Sequence, residues 1–352
     1  MLDIEDIVSA GICSGCGLCL SIDADSPAPQ LEMRKTKSGH LRPAFKHPTI
    51  EGRQARQALS AKVGRVCPGV QVPAPAALAR PPPLDSDVWG AAFSLTEGHA
   101  TDPAIRHKAA TGGVLTAVCQ HLLESGTVET ICHCSANFQG DPLLDGPQES
   151  SDSATVLENS GSRYGPCAPL SRALQLLDTG KVFALVGKPC DIGAMRRLAL
   201  IDPRVDKQCL YMLSIFCEGP TDLVTVRRIA KKLGVGTLSD VGRLQYRGNG
   251  CPGPTAVTTK GGVSNSMTYT ETWFDKEIPW RMPWRCKTCA DSIGLHADLV
   301  ALDIWPNGLP TGEFEGSDYV DPGFNYITTR TEKGEGLLQA ALKVSENDEF
   351  CI

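Results

Sequence analysis

The sequence predicts an α/β protein with a mixed, partly parallel sheet core and a small cysteine-bearing segment ahead of it. Three observations carry that prediction. Residues 113–233 alternate segments of helical apolar spacing with short continuous apolar runs, the pattern of crossover-connected strands buried on both faces. Residues 71–87 turn rich in Pro and Ala, with Pro81-Pro82-Pro83 reading as a stiff, extended connector. Before that connector, Cys13, Cys16 and Cys19 crowd into seven residues and Cys67-Pro68 follows at a distance, in a stretch with little aliphatic periodicity.

Thiolates at CxxCxxC spacing can wrap one corner of an iron–sulfur cube, and a distant Cys-Pro supplies the fourth ligand. Residues 1–70 therefore read as a ferredoxin-like 4Fe-4S segment held by Cys13, Cys16, Cys19 and Cys67, with the metal site as its core, so that removing the metal unravels it. Zinc is the alternative, although structural zinc usually takes two separate CxxC or CxxH pairs. Disulfides need an oxidising compartment, and the opening Met-Leu-Asp-Ile-Glu-Asp is no signal peptide, so the chain is expected in the cytoplasm with its thiols reduced.

Residues 88–352 read as the main body. Residues 113–123 have helical spacing, 127–134 form a strand, and 169–177 form a helix. Residues 181–187 (KVFALVG) are a short apolar run ending in a turn, the mark of a buried parallel strand; 191–200 are a helix and 209–216 (CLYMLSIF) another buried strand. Residues 221–233 form an amphipathic helix that closes the alternation. Beyond Leu238 the pattern changes to short strands with Gly-rich turns, followed by strands at 299–304 and 326–330 and a closing helix at 334–344.

The bulk numbers set bounds on partners. With 352 residues the chain buries a large core; 41% apolar and 21% charged residues are ordinary for a soluble globule. A formal charge of -6 argues against nucleic acid or an anionic membrane as partner. No apolar run approaches the roughly 18–20 residues that a membrane helix needs. Homo-oligomerisation is left open.

The chain has 15 cysteines, more than packing requires. Cys286-Lys-Thr-Cys289 is a CxxC pair with no neighbour to complete it. Cys190 lies three residues beyond one buried strand and Cys217 directly after another, so parallel pairing of those strands would bring both to the carboxyl edge of the sheet. The four then make a second 4Fe-4S site in the crevice where open α/β sheets bind ligands. The alternative keeps Cys190 and Cys217 as packing thiols and gives Cys286 and Cys289 a zinc with His296 nearby. Cys132-His133-Cys134 lies inside a strand pattern that points His133 away from the two cysteines, and reads as core. Cys119, Cys209 and Cys351 read as core or tail residues.

Thr111, Gly112, Gly113 and Val114 open a helix, where glycines let backbone amides approach an anion. Ser162-Arg163-Tyr164, Gly187-Lys188-Pro189 and the loop at Arg247 are further places for a phosphate or flavin ring. Taken in order, ATGGVLTAV, SRYGP, VGKPCDIGAMRRL, FCEGP, YRGNGCPGP, CKTCADSIGLHADLVALDIWP and TTRTEKGEGLLQAA resemble the beta subunits of coenzyme F420 hydrogenases and dehydrogenases, over nearly the whole chain. That family includes deazaflavin-reducing subunits, 7-hydroxymethyl chlorophyll a reductase and divinyl chlorophyllide 8-vinyl reductase. The resemblance implies FAD and one or two 4Fe-4S clusters, with FAD contacts at Thr111, Gly112, Gly113, Ser162, Arg163, Tyr164 and near Lys188. It also supports Cys190, Cys217, Cys286 and Cys289 as cluster ligands. Three departures stand out: Thr111 where Ser is common, Cys251 where an aromatic is common, and LDIWPNG in place of GDPWG.

Two clusters and a flavin make chemical sense together, because clusters pass single electrons and a flavin converts them to pairs. The expected activity is a FAD-dependent iron–sulfur reductase, taking electrons from reduced ferredoxin or a similar donor and reducing a small organic substrate by hydride transfer, with His107 or Asp191 as proton donor. The alternative is an electron-transfer beta subunit of a complex that reduces or oxidises the deazaflavin coenzyme F420. A metal-stabilised assembly module without redox turnover is the non-enzymatic reading.

Overall fold

The protein is represented by a computed structural model, which describes residues 2–26, 28–46, 53–72, 82–305 and 322–344. Most of the Pro/Ala-rich connector, the end of the LDIWPNG stretch and Cys351 lie outside the described residues.

The N-terminal segment holds short helices at Ile4–Ser9 and Leu18–Ala24, a hairpin of β1 (Leu31–Lys35) and β2 (Leu41–Phe45), and a longer helix at Arg53–Val66. The stretch of little aliphatic periodicity thus contains an antiparallel pair with Leu31 opposite Phe45. The expectation that metal alone forms this segment's core is corrected as well. Ile4, Leu31, Phe45, Leu59 and Val63 bury one another in an apolar cluster of their own. Leu59, Val63 and Val66 recur at i, i+4 and i+7, which puts them on one face of their helix.

The body is built on a seven-stranded sheet. Its strands are β3 (Ser94–Gly98), β4 (Thr130–Ser135), β5 (Gly146–Ser150), β6 (Phe183–Gly187), β7 (Cys209–Ile215), and, later in the chain, Leu299–Ile304 and Phe324–Thr329. Between these come β8 (Val241–Gln245), β9 (Thr255–Thr259) and β10 (Ser264–Met267), which form a separate antiparallel sheet. Leu299–Ile304 is therefore β11 and Phe324–Thr329 is β12. The large sheet runs β3-β12-β11-β7-β6-β4-β5. Its four central strands β4, β6, β7 and β11 are mutually parallel, and β5, β12 and β3 pair antiparallel at the flanks.

Alternation along the central strands sorts side chains between two faces. Phe183, Leu185, Met212 and Val300 point to one, with Leu174, Ile192 and Met195 of helices Ala173–Asp178 and Pro189–Ala199. Ala184, Leu213 and Leu299 point to the other, with Val114, Val118 and Leu122 of helix Val114–Glu124 and Leu337 and Leu338 of helix Glu332–Val344. Coverage on both faces is why these strands read as unbroken apolar runs. Leu18 and Val66 of the N-terminal segment join the first of these clusters and fasten the segment to the body.

One helix departs from the expected alternation. Leu223–Lys232 leaves the large sheet and packs Val226, Ile229, Ala230 and Leu233 against Val241, Leu244 and Val257 of β8 and β9. Its start is fixed by Asp222, whose carboxylate accepts from the amides of Val224 and Thr225 at 2.9 and 3.0 Å.

Candidate functional site

The carboxyl ends of the four parallel strands open on one edge, where register sets Gly187 beside Ser214 and Ile215 beside Ala301. A cavity of about 650 Å³ lies there, within the size range of small-molecule and cofactor sites. It occupies the crevice that open α/β sheets use for ligands.

Both predicted thiol sets flank that edge. In the N-terminal set, Cys13 and Cys16 are buried and Cys19 and Cys67 half-buried. Burial pushes the Cys16 thiol up to about 12, and Asp191, Cys67 and Cys13 add to the effect. Cys19 is raised well above the ordinary thiol range by burial, then by Cys16, Cys13 and Cys67. Four thiols within one another's electrostatic reach suit a shared cationic centre, which would favour the thiolate form that burial opposes. The loop reaches this arrangement through Gly17, at φ 85°, where a Cβ would stand 2.9 Å from Ala168 Cβ and 3.0 Å from the Ser171 amide. The amide of Leu170 donates to the Cys16 carbonyl at 2.8 Å, docking the loop on the body.

The second set is assembled from distant segments. Cys190 sits in the first turn of helix Pro189–Ala199, directly beyond β6; Cys217 follows β7, its amide donating to Ser292 O at 2.9 Å. Burial pushes Cys217 up to about 11, with Lys188 opposing and Cys286 adding to it. Cys286 is raised by burial and by Cys289. Gly219, at φ 96°, lets the Cys217 loop close on Cys286; a Cβ there would lie 2.9 Å from the Cys286 sulfur. Cys190 in turn is raised by burial, Asp191, Cys217 and, from the other set, Cys16. The two sets are therefore neighbours.

Among the described residues, no three His, Cys, Asp or Glu side chains converge on a point that would hold a single ion. A cube binds its thiolates on separate irons and does not require such a point, whereas mononuclear zinc does. His296, offered with zinc, faces Asp291 across 3.9 Å.

Thr111, Gly113, Val114, Ser162, Arg163, Tyr164, Gly187, Lys188, Asp191 and Arg247 all line the cavity. Asp191 is fully buried and its Oδ2 accepts from Lys188 Nζ at 2.6 Å and from the Lys188 amide at 3.0 Å, while Oδ1 has no partner. Burial alone would lower the Lys188 ammonium, but Asp191 and the surrounding thiols hold it well above the ordinary lysine range. Arg163 stands 3.8 Å from Asp145, whose carboxyl burial pushes up to about 6 against the pull of Arg163 and Lys188.

Arg247 was expected beside a phosphate or ring, yet its guanidinium is engaged by protein: Asp303 Oδ2 at 2.6 Å, Ala110 O at 3.1 Å, Pro252 O at 3.3 Å and Tyr164 Oη at 3.4 Å. Asp303 also accepts from Thr111 Oγ1 at 2.9 Å, and Asn325 Nδ2 donates to that same hydroxyl at 2.8 Å. Asn325 Oδ1 takes the Val114 amide at 3.3 Å, the helix-start donor that the sequence assigned to an anion. Asp303 and Asn325 gave no signal of their own. Asp303 lies in LDIWPNG, and with Trp305 it lines the cavity beside Tyr269 and Trp273. This aromatic wall was also missed, because its members come from the residue directly after β11 and from the helix Tyr269–Trp273 after β10.

Four expectations need correction. His107 is exposed on helix Pro103–Lys108, outside the cavity lining, so it has no geometric claim as proton donor. Gly112 does not line the cavity; it allows close packing, since a Cβ would sit 2.7 Å from Asn325 Oδ1. Pro189 is buried as the first residue of its helix, where its fixed φ favours initiation. Cys134, read as core, turns into the cavity while Cys132 is buried behind it.

The fold and site together define a thiol-rich α/β protein with a ligand-sized cavity at the carboxyl edge of its parallel strands. The chain belongs to the coenzyme F420 hydrogenase/dehydrogenase beta-subunit family, whose N-terminal model matches residues 95–175 and whose C-terminal model matches residues 180–348. Cys13 to Cys67 lie ahead of both matches. It is 29% identical over 247 residues to the beta subunit of an F420-dependent formate dehydrogenase from Methanocaldococcus jannaschii, covering 69% of this chain and 58% of that one. It is 27% identical over 248 residues to the corresponding subunit of formate dehydrogenase 1 from Methanococcus maripaludis, with the same coverages. The chain thus spans under two thirds of the length of these curated relatives. A chain of the F420-reducing [NiFe] hydrogenase complex from Methanosarcina barkeri shares the fold, with a TM-score of 0.54 at 19% identity over 74% of this chain and 83% of that one. No helix among the described residues is long and apolar enough to cross a membrane.

Proposed function

We propose that this chain is an electron-transfer beta subunit that exchanges electrons between two thiol-held 4Fe-4S clusters and the deazaflavin coenzyme F420, as part of a larger hydrogenase or dehydrogenase complex. One observation carries the reading: both thiol sets and the cavity share the carboxyl edge of the parallel strands, with Cys16 and Cys190 in electrostatic contact and Cys217 on the cavity wall. The names of the relatives favour F420 over a ferredoxin-fed reductase of another organic substrate.

In this proposal residues 1–70 are the ferredoxin-like cluster segment and residues 88–352 the catalytic body. When bound, the clusters supply single-electron transfer, and FAD, which the sequence resemblance implies, supplies conversion between single electrons and pairs. Cys13, Cys16, Cys19 and Cys67 hold one cluster; Cys190, Cys217, Cys286 and Cys289 hold the other. Lys188 places a cation between the inner thiols and the cavity and offsets the negative charge that thiolates bring. Tyr269, Trp273 and Trp305 give a planar ligand an apolar face, and Arg247, held by Asp303, Ala110 and Pro252, stands over the Tyr269 and Trp305 rings at 5.3 and 5.6 Å. Asp191, bonded to Lys188 and with its second oxygen unpartnered, is the carboxylate on the cavity lining that would serve a proton transfer there, in place of His107.

The test uses anaerobically purified protein. Reduced F420 should drive reduction of a viologen dye, and iron should approach about eight per chain. Viologen reduction that does not depend on the coenzyme, or zinc in place of iron, sinks the proposal. Reaction with reduced ferredoxin and not with F420 would put the stand-alone reductase in its place.

A further inference from the structure

Beyond the eight assigned cysteines, two more meet in the cavity. Cys134, near the end of β4, and Cys167, in the loop before helix Ala173–Asp178, hold their sulfurs 3.1 Å apart with one thiol hydrogen-bonded to the other. Both line the cavity. Their approach is built into the backbone. Cys134 pairs with Pro147 across the β4–β5 ladder, and just before β5 the Asp145 amide donates to Pro166 O at 3.1 Å, which fixes the residue preceding Cys167. Closing from 3.1 Å to a bond of about 2.05 Å asks for a movement of only about 1 Å. Cys132, two residues earlier on β4, shares the face of Cys134 but is buried in the core, so it is the position of Cys134 nearer the strand's carboxyl end that brings it to the cavity.

We propose that Cys134 and Cys167 are a redox-modification site, in which a low-molecular-weight disulfide entering the cavity exchanges with the pair and leaves a Cys134–Cys167 disulfide. One protein thiolate attacks the small disulfide, forming a mixed disulfide and expelling one small thiolate. The second protein sulfur then attacks the mixed disulfide and expels the other. The protein dithiol and R–S–S–R thus become a protein disulfide and two R–SH; two electrons pass to the small molecule and the two thiol protons go to the released thiols. The site does not rest on the F420 reading, since it requires only the reduced pair and an open cavity.

The full chain, purified anaerobically with its metal content intact, is equilibrated against a series of oxidised-to-reduced glutathione ratios, quenched in acid, alkylated and mapped by mass spectrometry. The peptides bearing Cys134 and Cys167 should lose their alkyl labels together, by about tenfold at the oxidising end, and reappear as one cross-linked species that dithiothreitol reverses. In Cys134→Ser, Cys167 should stop at a glutathione adduct. Labels retained on both residues at every ratio, an adduct that never resolves in the parent protein, or a link from Cys134 to any other cysteine overturns the assignment. The parent protein alone decides these outcomes, so poor folding of the variant does not shield the proposal.

Discussion

The two thiol sets have the same donors and opposite constructions. Cys13, Cys16 and Cys19 are bound together by chain connectivity and need only the return of Cys67, at the end of a helix that packs on the same small cluster. Cys190, Cys217, Cys286 and Cys289 share no local segment beyond one CxxC. They meet because β6 and β7 are parallel neighbours and because the loop after Cys217 closes on Cys286 at Gly219. A local site survives most changes elsewhere in the chain. An assembled site depends on register, loop closure and the cavity it borders.

The largest effect should follow from breaking the assembled set. Cys217→Ser should remove about half of the iron and lower F420-dependent dye reduction by about 100-fold or more. Unchanged iron and rate would remove Cys217 from the ligands. Cys16→Ser should remove the iron held by the Cys13, Cys16, Cys19 and Cys67 set and leave ligand binding in the cavity intact, read by a fluorescence or absorbance titration. Loss of binding would show that the two sets are not separable. Because Ile4, Leu31, Phe45, Leu59 and Val63 bury one another, with Cys19 and Cys67 packed against them and Cys16 outside the cluster, far-UV circular dichroism should keep most of its helical signal in this variant. Collapse of that signal would restore the metal as the segment's sole core.

Gly17→Ala and Gly219→Ala sharpen the contrast, since each adds a methyl where φ is positive and a neighbour stands 2.9 Å away. Both should cost about 2 kcal/mol in thermal or denaturant unfolding. Gly219→Ala should lower iron content more, because its neighbour is the Cys286 sulfur itself, whereas Gly17→Ala acts on iron only through the shift of the Cys16–Cys19 loop off Ala168. Equal iron loss in the two variants would erase the distinction.

The smallest effect concerns pH on the cavity wall. His133, bonded to Ser150 Oγ at 2.7 Å, is lowered to about 4 by burial, with Arg163 adding to it. A depressed folded value gives stability that is complete above the unfolded value near 6.5 and is lost as pH falls toward 4. Moving from pH 7 to 5 should therefore cost about 2 kcal/mol at most through this residue. Asp145 runs the other way: its folded value of about 6 lies above the unfolded 3.8, so its contribution is present at low pH and lost as pH rises through about 6. Denaturant unfolding at the two pH values should show His133→Gln losing less stability than the parent, and Asp145→Asn losing more. Parallel profiles for all three would end this account.

Much of the body was legible because burial on two faces writes itself into sequence as unbroken apolar runs, as at Phe183–Gly187. The edge strands β3 and β5 were not, since their alternating exposure is short and shared with loops. Helix Leu223–Lys232 was found but set on the wrong sheet, because an apolar stripe records that a helix packs and not on what.

By itself, the sequence determined periodicities and local spacings: the CxxCxxC run, the buried strands, the CxxC pair and the glycine turns. Those features follow from backbone geometry over a few residues. Only the tertiary structure decided that Cys190 neighbours Cys16, that Arg247, Asp303, Thr111 and Asn325 form one network, that His107 faces outward, and that Cys134 meets Cys167. Each of these depends on strand order and register, which are set by packing between segments far apart in the chain and leave no periodic trace in either one.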